Sequence, residues 1–136
     1  MNAISHHAAL VYVMVVVSAS DGNMSEGELR TIGNLVRTLP VFRGFDEHRL
    51  VAVSQECASI LQEQDGLAAV LGLIKEAVPE ELRETAYWLA LEVALTDTQV
   101  MLEEVRIVER LRRSLGIDRL IAAALDRAAE ARFRRA

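Results

Sequence analysis

An acidic helix-loop-helix occurs twice in this chain. Asp21 and Glu28, in SASDGNMSEGELRTIGNLVRTL, return as Asp97 and Glu104 in ALTDTQVMLEEVRIVERLRRSL, at an offset of 76 positions. In the same register Val17 returns as Val93, Arg30 as Arg106, Leu35 as Leu111, Arg37 as Arg113 and Leu39 as Leu115. Other aligned positions keep their apolar character: Tyr12 faces Trp88, Met24 faces Val100 and Ile32 faces Val108. Such a repeat predicts two similar helical hairpins packed about a pseudo-two-fold axis. Symmetry would then bring two Asp/Glu pairs near one another, and four carboxylates gathered in one place call for a cation.

The elements follow from apolar spacing and from breakers. With 136 residues, 51% hydrophobic but only 4% aromatic, the chain reads as one all-α domain spanning 1–136, rich in Ala, Leu and Val. Two prolines bar little of it from helix. The first element, about 4–20, is rich in valine, which favours strand by propensity. Its length and its aligned partner ETAYWLALEVAL favour helix. Apolar on nearly all faces, both helices should be central and buried, packed on each other around Val13 and Leu89. Ser25 followed by Glu28 at N3 makes a capping box for the second helix, which Pro40 stops. VFRGF is a linker.

Asp46 caps a third helix to about Gln64, with Leu50, Val53, Cys57, Ile60 and Leu61 at helical spacing, and Asp65-Gly66 breaks it. A short helix follows to Pro79, so the connecting helices occupy 46–77. Pro79, Glu80 and Glu81 start the fifth helix, with acids near its positive dipole end. A sixth runs from about Met101 to Leu115, with Gly116 as its C′ residue. The seventh, about 118–136, ends in a fraying ARFRRA. The repeat halves are thus about 4–39 and 80–115, in a bundle of about seven helices.

A net charge of −5 is unsuited to general nucleic-acid binding, which needs lysine and arginine, and suits cations. A single cysteine excludes an intramolecular disulfide and any multi-cysteine zinc site. The apolar run AALVYVMVVVSA is shorter than a membrane span. No Lys or Arg precedes it, and its repeat partner lies deep inside the chain, so it is not read as a signal peptide. These features point to a cytoplasmic protein without membrane insertion.

DGNMSEGEL resembles the back half of an EF-hand loop, with Asp21 at position 5, Gly22 at 6 and Glu28 at 12. Positions 1 and 3 would be Val17 and Ala19, which cannot ligate, and Thr98 replaces the glycine in the second copy. An ordinary EF-hand is excluded. Each loop offers two strong oxygen donors, too few alone for calcium, which takes 6–8. Two loops sharing one ion would supply four carboxylates, with carbonyls and water. The competing reading is local: Asp21 caps a turn and Glu28 completes a capping box.

A long apolar helix, an ADG-like turn, then a helix with Glu seven residues on, all occurring twice, resembles the TerB-like tellurite-resistance family. A related domain occurs in a membrane-anchored DnaJ-type co-chaperone. The resemblance covers about 6–116 and departs at TDTQ, where the family usually shows Asp-Gly. It implies an all-α fold and a divalent-cation site on Asp21, Glu28, Asp97 and Glu104, for calcium or another divalent ion. It also implies a role in tellurite or general chemical-stress response, with protein partners in a stress-response complex.

Other residues have plainer readings. His6 and His7 belong to a solvated helix start, although one could assist a metal; His48 has no metal spacing. Cys57 is a core thiol despite the thiol reactivity of tellurium oxyanions. Arg30, Arg37, Arg106 and Arg113 form either a symmetric basic strip or, as the better account, solvated faces pairing with Glu at i,i+4. Arg132, Arg134 and Arg135 belong to a disordered or weakly docking tail. Nucleophile–base pairs, glycine-rich phosphate loops and zinc motifs are lacking. The chain therefore reads as a non-enzymatic cation-binding module. The alternatives are a metal-independent protein-interaction scaffold and, more remotely, a metal-dependent hydrolase.

Overall fold

A computed structural model describes residues 3–20, 24–96 and 102–136. Among them are seven α-helices and no strand: α1 His6–Ser18, α2 Glu26–Thr38, α3 Leu50–Leu61, α4 Gly66–Ala77, α5 Arg83–Ala94, α6 Leu102–Leu115 and α7 Arg119–Arg132. The chain is all-α, as its patterning predicts.

Helix α1 is the axis of the molecule. Ser5 caps it, its hydroxyl accepting from the Ala8 amide at 3.0 Å. Every residue from Ala8 to Ser18 is buried. That is possible because the segment has no charged group, and the buried Ser18 hydroxyl donates to the Val15 carbonyl at 3.1 Å. Other helices surround it: α5, α3 and α4 most extensively, then α6 and α2. Val13, Val16 and Leu89 are all buried, so the two apolar helices do form the centre. Packing on all sides overrides the strand propensity of the valines.

Three expected boundaries shift, each at a 3-10 turn. The VFRGF linker is partly ordered as a turn over Pro40–Phe42, which buries Phe42. Asp46 caps a turn over Glu47–Arg49 rather than α3 itself, and α3 ends at Leu61, short of Gln64. A turn over Glu80–Leu82 precedes α5, so that helix begins at Arg83 rather than beside Pro79. Helix α7 runs from Arg119 through Arg132, so the last four residues of ARFRRA lie beyond it.

The hairpins match in burial more than in packing. Val17 and Val93, Leu35 and Leu111, and Glu28 and Glu104 are buried in pairs. Arg30, Arg37, Arg106 and Arg113 are all exposed. Yet α6 lies against α5 over much of its length, while α2 touches α1 far less.

Candidate functional site

Ser25 and Glu28 form the capping box that their spacing predicts. The Ser25 hydroxyl accepts from the Glu28 amide at 3.0 Å, and Glu28 Oε1 accepts from the Ser25 amide at 3.0 Å. The carboxylate sits among the first free amides of α2, where the helix dipole favours negative charge. Glu28 is 4% exposed, although Glu26, Leu29 and Arg30 around it are open to solvent. At the aligned position in α6, Glu104 is also 4% exposed, between the exposed Glu103 and Val105.

The ends of α1 and α5 are finished alike. The Ser20 hydroxyl donates to the Val17 carbonyl at 2.8 Å. At the aligned position, the Thr96 hydroxyl lies 2.9 Å from the Glu92 carbonyl and 3.0 Å from the Thr31 hydroxyl. Thr96 has one proton, so with it on the carbonyl, Thr31 supplies the proton between the two hydroxyls. Thr31 is three residues past Glu28. The start of the second loop is therefore fastened to α2 one turn from the first loop's glutamate.

Asp21 and Asp97 lie outside the described residues. Among the described residues no group of three or more His, Cys, Asp or Glu side chains is placed to hold a metal ion. The described donors, Glu28 and Glu104, offer hard oxygen ligands only, the type that suits calcium or magnesium rather than a soft thiophilic metal.

The remaining candidates resolve into structural roles. His7 is not merely a solvated start: its Nε2 lies 3.0 Å from the Val41 carbonyl, and its ring packs on Phe42 and Phe45. Burial, then the neighbouring His6, holds its pKa below the usual imidazole value. His48 is exposed and pairs with Asp46 at 3.1 Å. Cys57 is fully buried, and burial pushes its thiol up to about 12. Arg113 pairs with Glu109 across one turn at 3.3 Å, as a solvated face would. Among the described residues no helix is long and apolar enough to cross a membrane.

Glu92 escapes the repeat argument altogether. It is buried near the end of α5, accepts from Trp88 Nε1 at 3.2 Å and pairs with Arg132 Nε at 3.0 Å. Arg132 is thus an anchor rather than part of a loose tail. The available signal was a lone acid within the apolar run YWLALEVAL, since a buried charge needs a partner.

The tellurite resistance protein TerB family model matches residues 7–127. No curated protein and no solved structure matches the chain. The matched stretch runs from the first turn of α1 into α7 and takes in both acidic loops, so the chain belongs to the TerB tellurite resistance family.

Proposed function

We propose that this chain is a non-enzymatic, divalent-cation-binding module of a tellurite or chemical-stress response. One ion is held between the two loops by Asp21, Glu28, Asp97 and Glu104. The observation that carries this reading is the paired burial of Glu28 and Glu104 at aligned positions of α2 and α6. Ser25 supplies one half of the box that holds Glu28, whereas the second copy has Met101 in place of Ser25. A methionine offers no oxygen to cap a helix. The Thr96–Thr31 contact supports sharing, because it ties the second loop's approach to α2 beside Glu28. Calcium is the leading candidate among hard divalent ions, with carbonyls and water completing its shell. The module acts in the cytoplasm on protein partners of a stress-response complex.

Calorimetric titration of calcium, magnesium, manganese and zinc into chelator-treated protein tests this reading. One hard ion bound per chain with a raised melting temperature is expected, by mass action on the folded state. The Asp21→Asn/Asp97→Asn double variant should lose both effects without losing stability when metal-free. No heat and no melting shift with any ion would overturn it. That result would leave the interaction-scaffold reading, which the exposed Leu29 and Val105, again at aligned positions, favour.

A further inference from the structure

Each hairpin is flanked by a third helix, and the two flanking helices are held very differently. A groove of about 430 Å³ runs beside the first hairpin, walled by Val15 and Ala19 of α1, Leu29 and Ile32 of α2, and Val51 and Ala58 of α3. A groove of about 330 Å³ runs beside the second, walled by Leu91 and Leu95 of α5, Val105 and Val108 of α6, and Asp126 of α7. The four hairpin residues of one groove align with those of the other in the register of the repeat. Helix α3 sinks Val53 and Cys57 into the core and half-buries Leu50, Ile60 and Leu61. Helix α7 buries only two alanines, Ala122 and Ala129, and half-buries Leu125.

Alanines contribute little apolar burial, so α7 depends on polar anchors. The Tyr87 hydroxyl donates to Asp126 at 2.7 Å, and Arg132 Nε donates to the buried Glu92 carboxylate at 3.0 Å. Its main packing partner is α5. A third groove, of about 610 Å³, includes Leu39, Pro40, Leu82, Trp88 and Leu125 in its lining. Leu125 lines this groove and Asp126 the 330 Å³ one, and α7 fills neither.

We propose that α7 is a displaceable cover and that the α5 surface it shields is a docking site for an amphipathic helix of a partner protein. Helix α7 itself displays the chemistry that this surface accepts: a leucine within an alanine stripe, a carboxylate on the next residue for Tyr87, and a guanidinium six residues later for Glu92. A partner carrying those anchors, with bulkier apolar residues than the alanines of α7, would also fill the two grooves. It would thereby outcompete α7.

The full-length protein with Arg132→Ala, and separately with Tyr87→Phe, tests this. Hydrogen exchange should show α7 opening at least tenfold faster in both variants, with α1 unchanged. The Tyr87→Phe variant keeps the buried ring and removes only the hydroxyl that binds Asp126, so the packing of α5 is retained. A labelled peptide of residues 118–136 should bind the Arg132→Ala protein at least tenfold more tightly than the parent, where α7 competes. Fluorescence of Trp88, the single tryptophan, should shift on loss of Arg132 and return when the peptide binds. The same peptide carrying Asp126→Asn and Arg132→Ala should not bind. Exchange of α7 only together with α1, or peptide binding to neither protein, would overturn the proposal. Dimerisation of the Arg132→Ala protein without peptide would also overturn it, by assigning the surface to a second copy of this chain.

Discussion

At Cys57 a thiol out of contact with solvent has lost its usual acidity, with burial pushing it up to about 12. At pH 8 only roughly one chain in ten thousand would carry the thiolate, the form that attacks oxidants and oxyanions. A disulfide-exchange reagent should leave the native protein unmodified over hours and label it promptly in denaturant. Rapid native labelling would contradict the burial. The same shift has a signed effect on stability. Above pH 9 the unfolded chain releases the thiol proton while the folded chain keeps it, so stability falls by about 1.4 kcal/mol per pH unit until the folded pKa is reached. Tyr12 and Tyr87, both raised chiefly by burial, add to that alkaline loss from about pH 10. His7 acts at the other end. Burial lowers its pKa, so the unfolded chain protonates first and stability falls as pH drops below about 6.5. Denaturation midpoints should decline at both extremes, and His7→Phe should flatten the acid limb near pH 6. The core role of Cys57 was legible from its spacing to Val53 and Leu61. The partner of Glu92 was not, because Arg132 lies 40 residues away and local periodicity carries no such distance.

Helix ends show what local sequence can and cannot specify. Ser25 and Glu28 were legible as a capping box because both halves of that motif lie within one turn. Removing the hydroxyl by Ser25→Ala should cost about 1 kcal/mol in chemical denaturation, with the slope unchanged. The three 3-10 turns were not legible, since proline and acidic caps announce a helix start without choosing between i→i+3 and i→i+4 bonding. Asp65-Gly66 made a break between α3 and α4 legible, but α3 already ends at Leu61 and the dipeptide acts at the start of α4. Asp65 takes the left-handed conformation, with φ 56°. Gly66 is needed for space: a Cβ there would lie 2.8 Å from the Leu61 carbonyl oxygen and closer still to that of Ile60. Backbone carbonyls cannot swing aside as a long side chain would. Gly66→Ala should therefore destabilise by about 2–3 kcal/mol, despite the better helix propensity of alanine. A stabilised variant would show that the turn between α3 and α4 relaxes freely.

The whole molecule is organised around a helix, and that arrangement sets how it should come apart. Because α1 touches α2, α3, α4, α5 and α6, no cooperative unit containing any of them can open while keeping its contacts to the centre. The hydropathy of AALVYVMVVVSA made this centrality legible. The difference in packing between the hairpins was not, since aligned residues of like polarity do not fix helix-to-helix distance. Truncating the fully buried Leu10 to alanine should cost about 3 kcal/mol and lower the protection of the slowest amides in α1, α3, α4 and α5 together. Truncating Leu125, half-buried on α7, should lower protection in α7 alone, leaving the global midpoint nearly unmoved. Native-state hydrogen exchange on both variants distinguishes a one-core molecule with a lightly held cover from a uniformly cooperative one. If Leu125→Ala lowers protection in α1 as much as in α7, the cover is part of the core after all. Bound calcium should widen the difference. An ion held as proposed by both loops would join segments adjoining α1, α2, α5 and α6, and so would raise the cost of opening the core without touching the anchors of α7. In calcium-saturated protein the slow amides should gain protection while those of α7 stay where they were, a pattern that general stabilisation of the whole fold would not produce.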